Sequence, residues 1–162
     1  MIKIDNNIIK IDTLKTTLLL KKHSKFIEKI YYGPYLNDQE NYDILSRLDI
    51  EDYHGSMDDE TSYLSIFSST GDGNNTESLI KIKDENNRFT FRFTPVDVNL
   101  ITNHVVVDFP QGRNKEQTLK ITYKELSSDI FVNQYISTYN NLDVLTFQTE
   151  IIQQLNYLLN VL

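Results

Sequence analysis

The chain contains no cysteine. That excludes a disulfide scaffold, a thiol nucleophile and any zinc–cysteine site. It also lacks a long apolar run: nothing approaches the roughly 20 residues that cross a bilayer as a helix. The longest leucine run, Leu18-Leu19-Leu20, is too short for a signal-peptide core, and no small-residue cleavage site follows it. Basic residues are outnumbered, with 16 Lys and Arg against 23 Asp and Glu, a net charge of −7 and a pI near 4.9. An acidic surface argues against non-specific nucleic-acid binding, which needs a basic one. No serine stands in a G-x-S-x-G elbow, so an esterase reading has no support. His23, His54 and His104 are too far apart for metal-ligand spacing and read as surface or packing residues. No metal, cofactor, nucleic-acid or membrane partner is expected, and the cytoplasm is the default location.

What is present is ordinary for a globular domain: 162 residues, 40% hydrophobic and 24% charged. The pattern that dominates is period-two alternation rich in β-branched and aromatic residues, the mark of half-buried antiparallel strands. It is clearest from Glu116 to Gln154. There Leu119, Ile121 and Tyr123 alternate with Lys120, Thr122 and Lys124. Next, Phe131, Asn133, Tyr135, Ser137 and Tyr139 oppose Val132, Gln134, Ile136 and Thr138. Then Val144, Thr146, Gln148 and Glu150 oppose Leu145, Phe147, Thr149 and Ile151, with Asn140-Asn141 as the turn between the last two strands. Upstream, Ile2–Ile4 and Ile8–Ile11 flank the turn signal Asp5-Asn6-Asn7. Thr16–Lys21 and Lys25–Tyr32 follow, with Gly33-Pro34 ending the latter. The expected fold is all-β, an antiparallel β-sandwich occupying 1–162 as a single domain, with one or two short helices or helical turns.

Asn37–Glu60 breaks the rhythm. It is acidic, with a helical turn expected around Tyr42, Leu45 and Leu48; its carboxylates Glu51, Asp52, Asp58, Asp59 and Glu60 form a solvated loop face or a cation site. Ser62–Phe67 returns to strand, and Ser68–Ser78 is the most loop-like stretch. A calcium loop starting at Asp72, Asn74 and Thr76 fails, because Glu77 and Lys83 stand where glycine and the bidentate glutamate belong. A dinucleotide loop fails too, having only Gly71 and Gly73 and no helix after them. The loop is left as a connection or as a carrier of side chains to a site, with Asp72, Asn74, Asn75 and Thr76 as candidates. Leu79–Lys83 and Arg88–Phe93 read as a hairpin about residues 84–87, with Leu79, Lys81 and Lys83 facing away from Ile80 and Ile82, and Pro95 ending the second strand. One or two further strands are expected within Val96–Phe109. Phe89, Phe91 and Phe93 share a face, either in the core or as an aromatic platform for a sugar; Tyr31, Tyr32 and Tyr35 are a second platform candidate.

The segment Val105–Ile152 resembles the amino-terminal β-sandwich domain of family 36 α-galactosidases. The resemblance is carried by Phe109-Pro110, Thr118-Leu119-Lys120-Ile121-Thr122, the tyrosine-rich Tyr135–Tyr139 and Asp143-Val144-Leu145-Thr146-Phe147. Lys25–Gly33, with its Tyr31-Tyr32-Gly33, is similar to an earlier strand of that family, and Ser68–Ile80 falls where the family carries a glycine-rich loop. The likeness implies a partial supersandwich of the galactose-mutarotase type. It further implies a non-catalytic role in oligomer assembly and in shaping an active site for α-galactoside hydrolysis. In that family the two catalytic aspartates sit in a following (β/α)8 barrel, and retaining hydrolysis needs carboxyl groups roughly 5 Å apart. This chain has no tryptophan and so lacks the family's Lys-Trp-Asp nucleophile segment. It is therefore expected to be inactive alone, a piece of a larger glycosidase-like protein. Asn74, Asn75 and Thr76 replace the Asp-Phe-Arg with which the family's loop reaches a neighbouring subunit's active site. Expected partners are a second copy through sandwich edges, and α-galactoside sugars. The alternatives are a free-standing carbohydrate-binding module and a protein-interaction sandwich.

Overall fold

The structure, a computed structural model of the chain, describes residues 1–38, 41–45, 65–71, 77–84, 86–101, 115–153 and 160–161. Two four-stranded antiparallel sheets form a partial sandwich. The first is a meander of β1 (Ile2–Asp5), β2 (Ile8–Asp12), β3 (Thr16–Lys22) and β4 (Ile27–Pro34). Asn6 makes the β1–β2 turn with φ of 50°, a left-handed conformation that asparagine tolerates better than most residues. Pro34 is the last residue of β4, paired with Thr16, where a missing N–H costs little.

The second sheet is the meander expected from Glu116 to Gln154, preceded by one more strand. It comprises β6 (Phe93–Ile101), β7 (Lys115–Glu125), β8 (Ile130–Tyr139) and β9 (Leu145–Gln153). Asn141, at φ 59°, makes the β8–β9 turn. Glu125 holds the β7–β8 turn, accepting hydrogen bonds from the Ser127 amide at 2.8 Å and the Ser128 hydroxyl at 2.6 Å. A separate antiparallel pair, β5 (Ile82–Lys83) with β10 (Asn160–Val161), makes up the remaining described strands.

One apolar cluster joins the sheets. Ile9, Ile11, Leu18 and Leu20 from the first meet Leu119, Ile121, Val132 and Ile136 from the second, all buried. Each such side chain contributes roughly 1.5–3 kcal/mol by leaving water. The sheets are also tied at one end by Asp143, two residues before β9. Its carboxylate accepts from the hydroxyls of Thr13 and Thr16 and from the Lys15 amide in the β2–β3 turn.

Three expectations change. Ser62–Phe67 is not a strand where it is described. Ser65 makes one bridge to Glu28, then its hydroxyl bonds the Phe67 carbonyl at 2.6 Å and the chain bends. The hairpin about residues 84–87 has its turn, with Asn87 at φ 62°, but no ladder beyond it. The Phe89 and Phe91 carbonyls are taken by residues 69–71 instead, and β5 pairs with β10. Pro95 does not end its strand: β6 continues to Ile101, with a bulge between Pro95 and Asp97. On an edge strand a bulge absorbs the residue that cannot donate. Among the described residues the helical content is one 3-10 turn, Asp43–Leu45, closed by the Leu45 amide on the Tyr42 carbonyl at 3.0 Å. The acidic stretch 51–60, His54, His104 and Leu48 lie outside the described residues.

Candidate functional site

The segment that crosses between the sheets also builds the stem of the glycine-rich loop. The Ile66 amide bonds the Ile27 carbonyl of β4 at 3.0 Å, and the Phe67 ring then enters the core. It stacks on Tyr123 with centroids 4.3 Å apart and meets Phe93 edge-on at 5.8 Å. Beyond it, the Ser68 carbonyl accepts from the Leu79 amide at 3.0 Å, and the Ser68 hydroxyl donates to the Glu77 carbonyl at 3.1 Å. Ser69 bridges Ile80 in parallel. The Phe91 carbonyl receives both the Ser69 hydroxyl and the Gly71 amide, each at 2.8 Å. A Cβ on Gly71 would lie 2.5 Å from that carbonyl oxygen. Only glycine permits so close an approach of two backbones.

Both ends of the loop are thus pinned to the sandwich. Asp72, Asn74, Asn75 and Thr76, the loop candidates, lie outside the described residues. At the stem, Phe89 is 47% exposed, with the Lys83 ammonium 5.3 Å from its ring centroid. Phe91 and Phe93 do not join it in a platform. They are 1% and 5% exposed, part of the core, and the Arg88 guanidinium covers the Phe91 ring at 4.4 Å. What the stem offers a hydroxylated ring is therefore one aromatic side chain with one ammonium group beside it; Lys81 pairs with Glu77 at 3.5 Å.

The tyrosine trio is also divided. Tyr31 and Tyr32 are strand neighbours and so point to opposite faces. The Tyr31 hydroxyl donates to the Pro34 carbonyl at 2.8 Å, whereas Tyr35 lies under the Lys10 ammonium, 5.0 Å from its ring centroid. Tyr32 and Tyr35 are exposed. His23 is a packing residue: it stacks on Phe26 at 4.6 Å, and its Nε2 lies 2.8 Å from the buried Glu28 carboxylate.

Two polar clusters went unremarked in the sequence. On the outer face of the first sheet the buried Lys10 Nζ lies 3.1 Å from Asp12 and 2.8 Å from Asp38, and donates to the Leu36 carbonyl at 2.7 Å. Thr17 bonds Asp12 at 2.6 Å and accepts the Leu36 amide at 3.0 Å, strapping the segment after β4 onto the sheet. The signal was a lysine inside Ile8-Ile9-Lys10-Ile11-Asp12, with an aspartate two residues on and hence on the same face. On the outer face of the second sheet, Glu150 accepts from the Tyr135 hydroxyl at 2.6 Å and the Asn133 amide at 3.0 Å, and Thr122 donates to Asn133 at 2.9 Å. Burial and then the bond to Glu150 push the Tyr135 pKa up to about 12.

Four carboxylates among the described residues, Asp38, Asp84, Glu125 and Asp143, are held ionised by neighbouring donors. Hydrogen bonds from Lys10 and then Lys3 hold Asp38 down at about 2. The Arg88 amide lowers Asp84, and Thr13 and Thr16 lower Asp143. Burial acts to raise Glu125, but bonds from Ser128 and Ser127 outweigh it and the net shift is downward. A general acid at a glycosidic bond needs the opposite shift. A consequence for stability follows from the depressed Asp38 pKa. Its contribution is complete above the unfolded value of 3.8 and is lost as pH falls toward about 2. Urea midpoints should therefore drop between pH 5 and pH 2, and Asp38→Asn should flatten part of that drop. An unchanged slope in the variant would show that Asp38 is not one of the groups responsible.

No family model matches the chain, and no curated protein matches it. Solved structures do. The α-galactosidase from Lactobacillus brevis superposes with a TM-score of 0.74 at 18% identity, over 91% of this chain and 22% of that one. The galactosidase domain of the α-galactosidase–sucrose kinase AgaSK gives 0.77 at 17% identity, over 99% of this chain and 24% of that one. The GH36 α-galactosidase AgaB from Geobacillus stearothermophilus gives 0.72 at 13% identity, over 94% and 22%. The chain therefore has the fold of one segment of these enzymes, and spans less than a quarter of their length.

Proposed function

We propose that this chain is a non-catalytic β-sandwich segment of an α-galactosidase-like protein, serving assembly and the shaping of an active site that stands on a separate barrel. The observation that carries the reading is the superposition of 91% of the chain on the Lactobacillus brevis α-galactosidase at a TM-score of 0.74. Two features agree with it. Among the described residues, one 3-10 turn is the whole helical content, so they build no (β/α)8 barrel. Among the described residues, the carboxyl groups with shifted pKa are held ionised by neighbouring donors. The pinned stem at Ser68–Gly71 and Glu77–Ile80 suits a loop that must keep its position while its tip meets another surface.

An antibody raised against the chain provides the test. Immunoprecipitates from the source cell should hydrolyse an aryl α-galactoside, whereas the isolated 19.0 kDa chain should not. Precipitates that contain the chain but no such hydrolysis would overturn the reading. Turnover by the isolated chain would overturn its non-catalytic part.

A further inference from the structure

The four outer strands of the two sheets are not alike. β1 is four residues long and carries Lys3 and Asp5. β4 carries Lys29 and ends in Gly33-Pro34; its register against β3 is shifted, and Ser65 bridges it at Glu28. β6 has Pro95 and a bulge. Short length, charge, proline and bulges are the devices by which an edge strand avoids pairing with a further strand. β9 has no proline, no bulge and only one charged residue. It runs nine residues as Leu-Thr-Phe-Gln-Thr-Glu-Ile-Ile-Gln, without lysine, arginine, proline or glycine. Its register against β8 is unbroken from Thr138↔Leu145 to Ile130↔Gln153. The sheet order leaves its other side at the edge among the described residues. Its single charge, Glu150, is already engaged by Tyr135 and Asn133. Phe147, on the side that faces the core, is 52% exposed, and Ile152 and the adjoining Val144 are exposed as well.

The sequence of β9 is complementary to itself. Its midpoint is Thr149, so an antiparallel copy centred there pairs all nine residues. That register sets Phe147 opposite Ile151, an aromatic and a β-branched side chain on one face. It sets Gln148 opposite Glu150, an amide donor against a carboxylate on the other face, and keeps the two Glu150 carboxylates from opposing each other directly. We propose that β9 pairs antiparallel with β9 of a second copy of this chain, across a two-fold axis through Thr149, joining two four-stranded sheets into one of eight strands. The contact is isologous and closes at a dimer. It supplies a surface for the assembly role argued above, and rests on that reading for its part in the cell.

The 162-residue chain should sediment as a species of twice 19.0 kDa. Thr149 is exposed, so Thr149→Lys should leave the monomer folded while placing two ammonium groups across the axis. It should weaken the dimer by about tenfold or more. Val96→Lys, on the bulged edge of β6, should leave the dimer intact. The absence of native cysteine permits a second measurement. Thr149→Cys should form a disulfide-linked dimer under mild oxidation, since directly opposed strand residues lie about 4.5–5.5 Å apart at Cα. Val96→Cys should not. A wild-type monomer at several hundred micromolar would overturn the inference. So would a dimer that survives Thr149→Lys, or the lack of a crosslink through position 149. None of these results would alter the hydrolysis expected in the immunoprecipitate, so the two ideas can fail separately.

Discussion

Replacing Lys10 by methionine should cost about 3 kcal/mol of stability at neutral pH, read from the urea midpoint. Methionine keeps most of the stem, so the loss comes from the charge that is left behind. The Lys10 side chain is 4% exposed and that of Asp12 9%. Asp12 would retain the bond from Thr17 but lose its counter-ion. Asp38 is open to water and would resolvate, which places the effect at the lower end of the range for broken buried pairs. Burial alone acts to lower the Lys10 pKa, yet hydrogen bonds to Asp38 and Asp12 more than offset it and raise it above the ordinary lysine value. The ammonium is thus stabilised by its partners rather than merely tolerated. Adding Asp12→Asn to Lys10→Met should recover about half of the loss, because the amide needs no counter-ion and can still accept from Thr17. A single variant within about 0.5 kcal/mol of wild type would show that the cluster is not under strain from desolvation.

That cluster also marks where the sequence stops being legible. Strand alternation exposed the sheets because side-chain direction along a strand is local: Leu119, Ile121 and Tyr123 face the core whatever packs on them. The turns at Asn6 and Asn141 were visible for the same reason, since positive φ is a property of one residue. The partners of Lys10 were not visible. Asp12 lies two residues away, but Asp38 comes from beyond β4, and nothing in its local pattern points back to the sheet. The 84–87 hairpin failed through competition. The residues after its turn have strand-like alternation, but Ser69, Thr70 and Gly71 claim the carbonyls of Phe89 and Phe91. Which of two available partners wins is a tertiary question. In the candidate site, the glycine at position 71 was legible as a loop signal, whereas its reason, a backbone 2.5 Å from any added Cβ, was not.

Phe67 joins these two levels, and Phe67→Ala should destabilise the chain by about 3–5 kcal/mol. The ring is 3% exposed and fills the space between Tyr123 and Phe93. Its removal opens a cavity bounded by side chains whose positions are fixed by the β6–β7 ladder, so little collapse can offset it. The effect should also spread along the chain in one direction. Ser68, Ser69 and Gly71 follow Phe67 directly, and their bonds to Leu79, Ile80 and Phe91 hold the loop stem. With the anchor gone, amide exchange at Gly71 and Leu79 should accelerate more than at Ile121 in the centre of the second sheet. Phe67→Leu, which keeps most of the apolar volume, should cost about 1.5 kcal/mol or less and leave both amides protected. If Phe67→Ala loses the expected stability while Gly71 and Leu79 exchange as before, the stem is held by its hydrogen bonds alone. The loop would then be independent of the core, and the case for a rigidly presented tip would have to rest on Gly71 and Phe91 without Phe67.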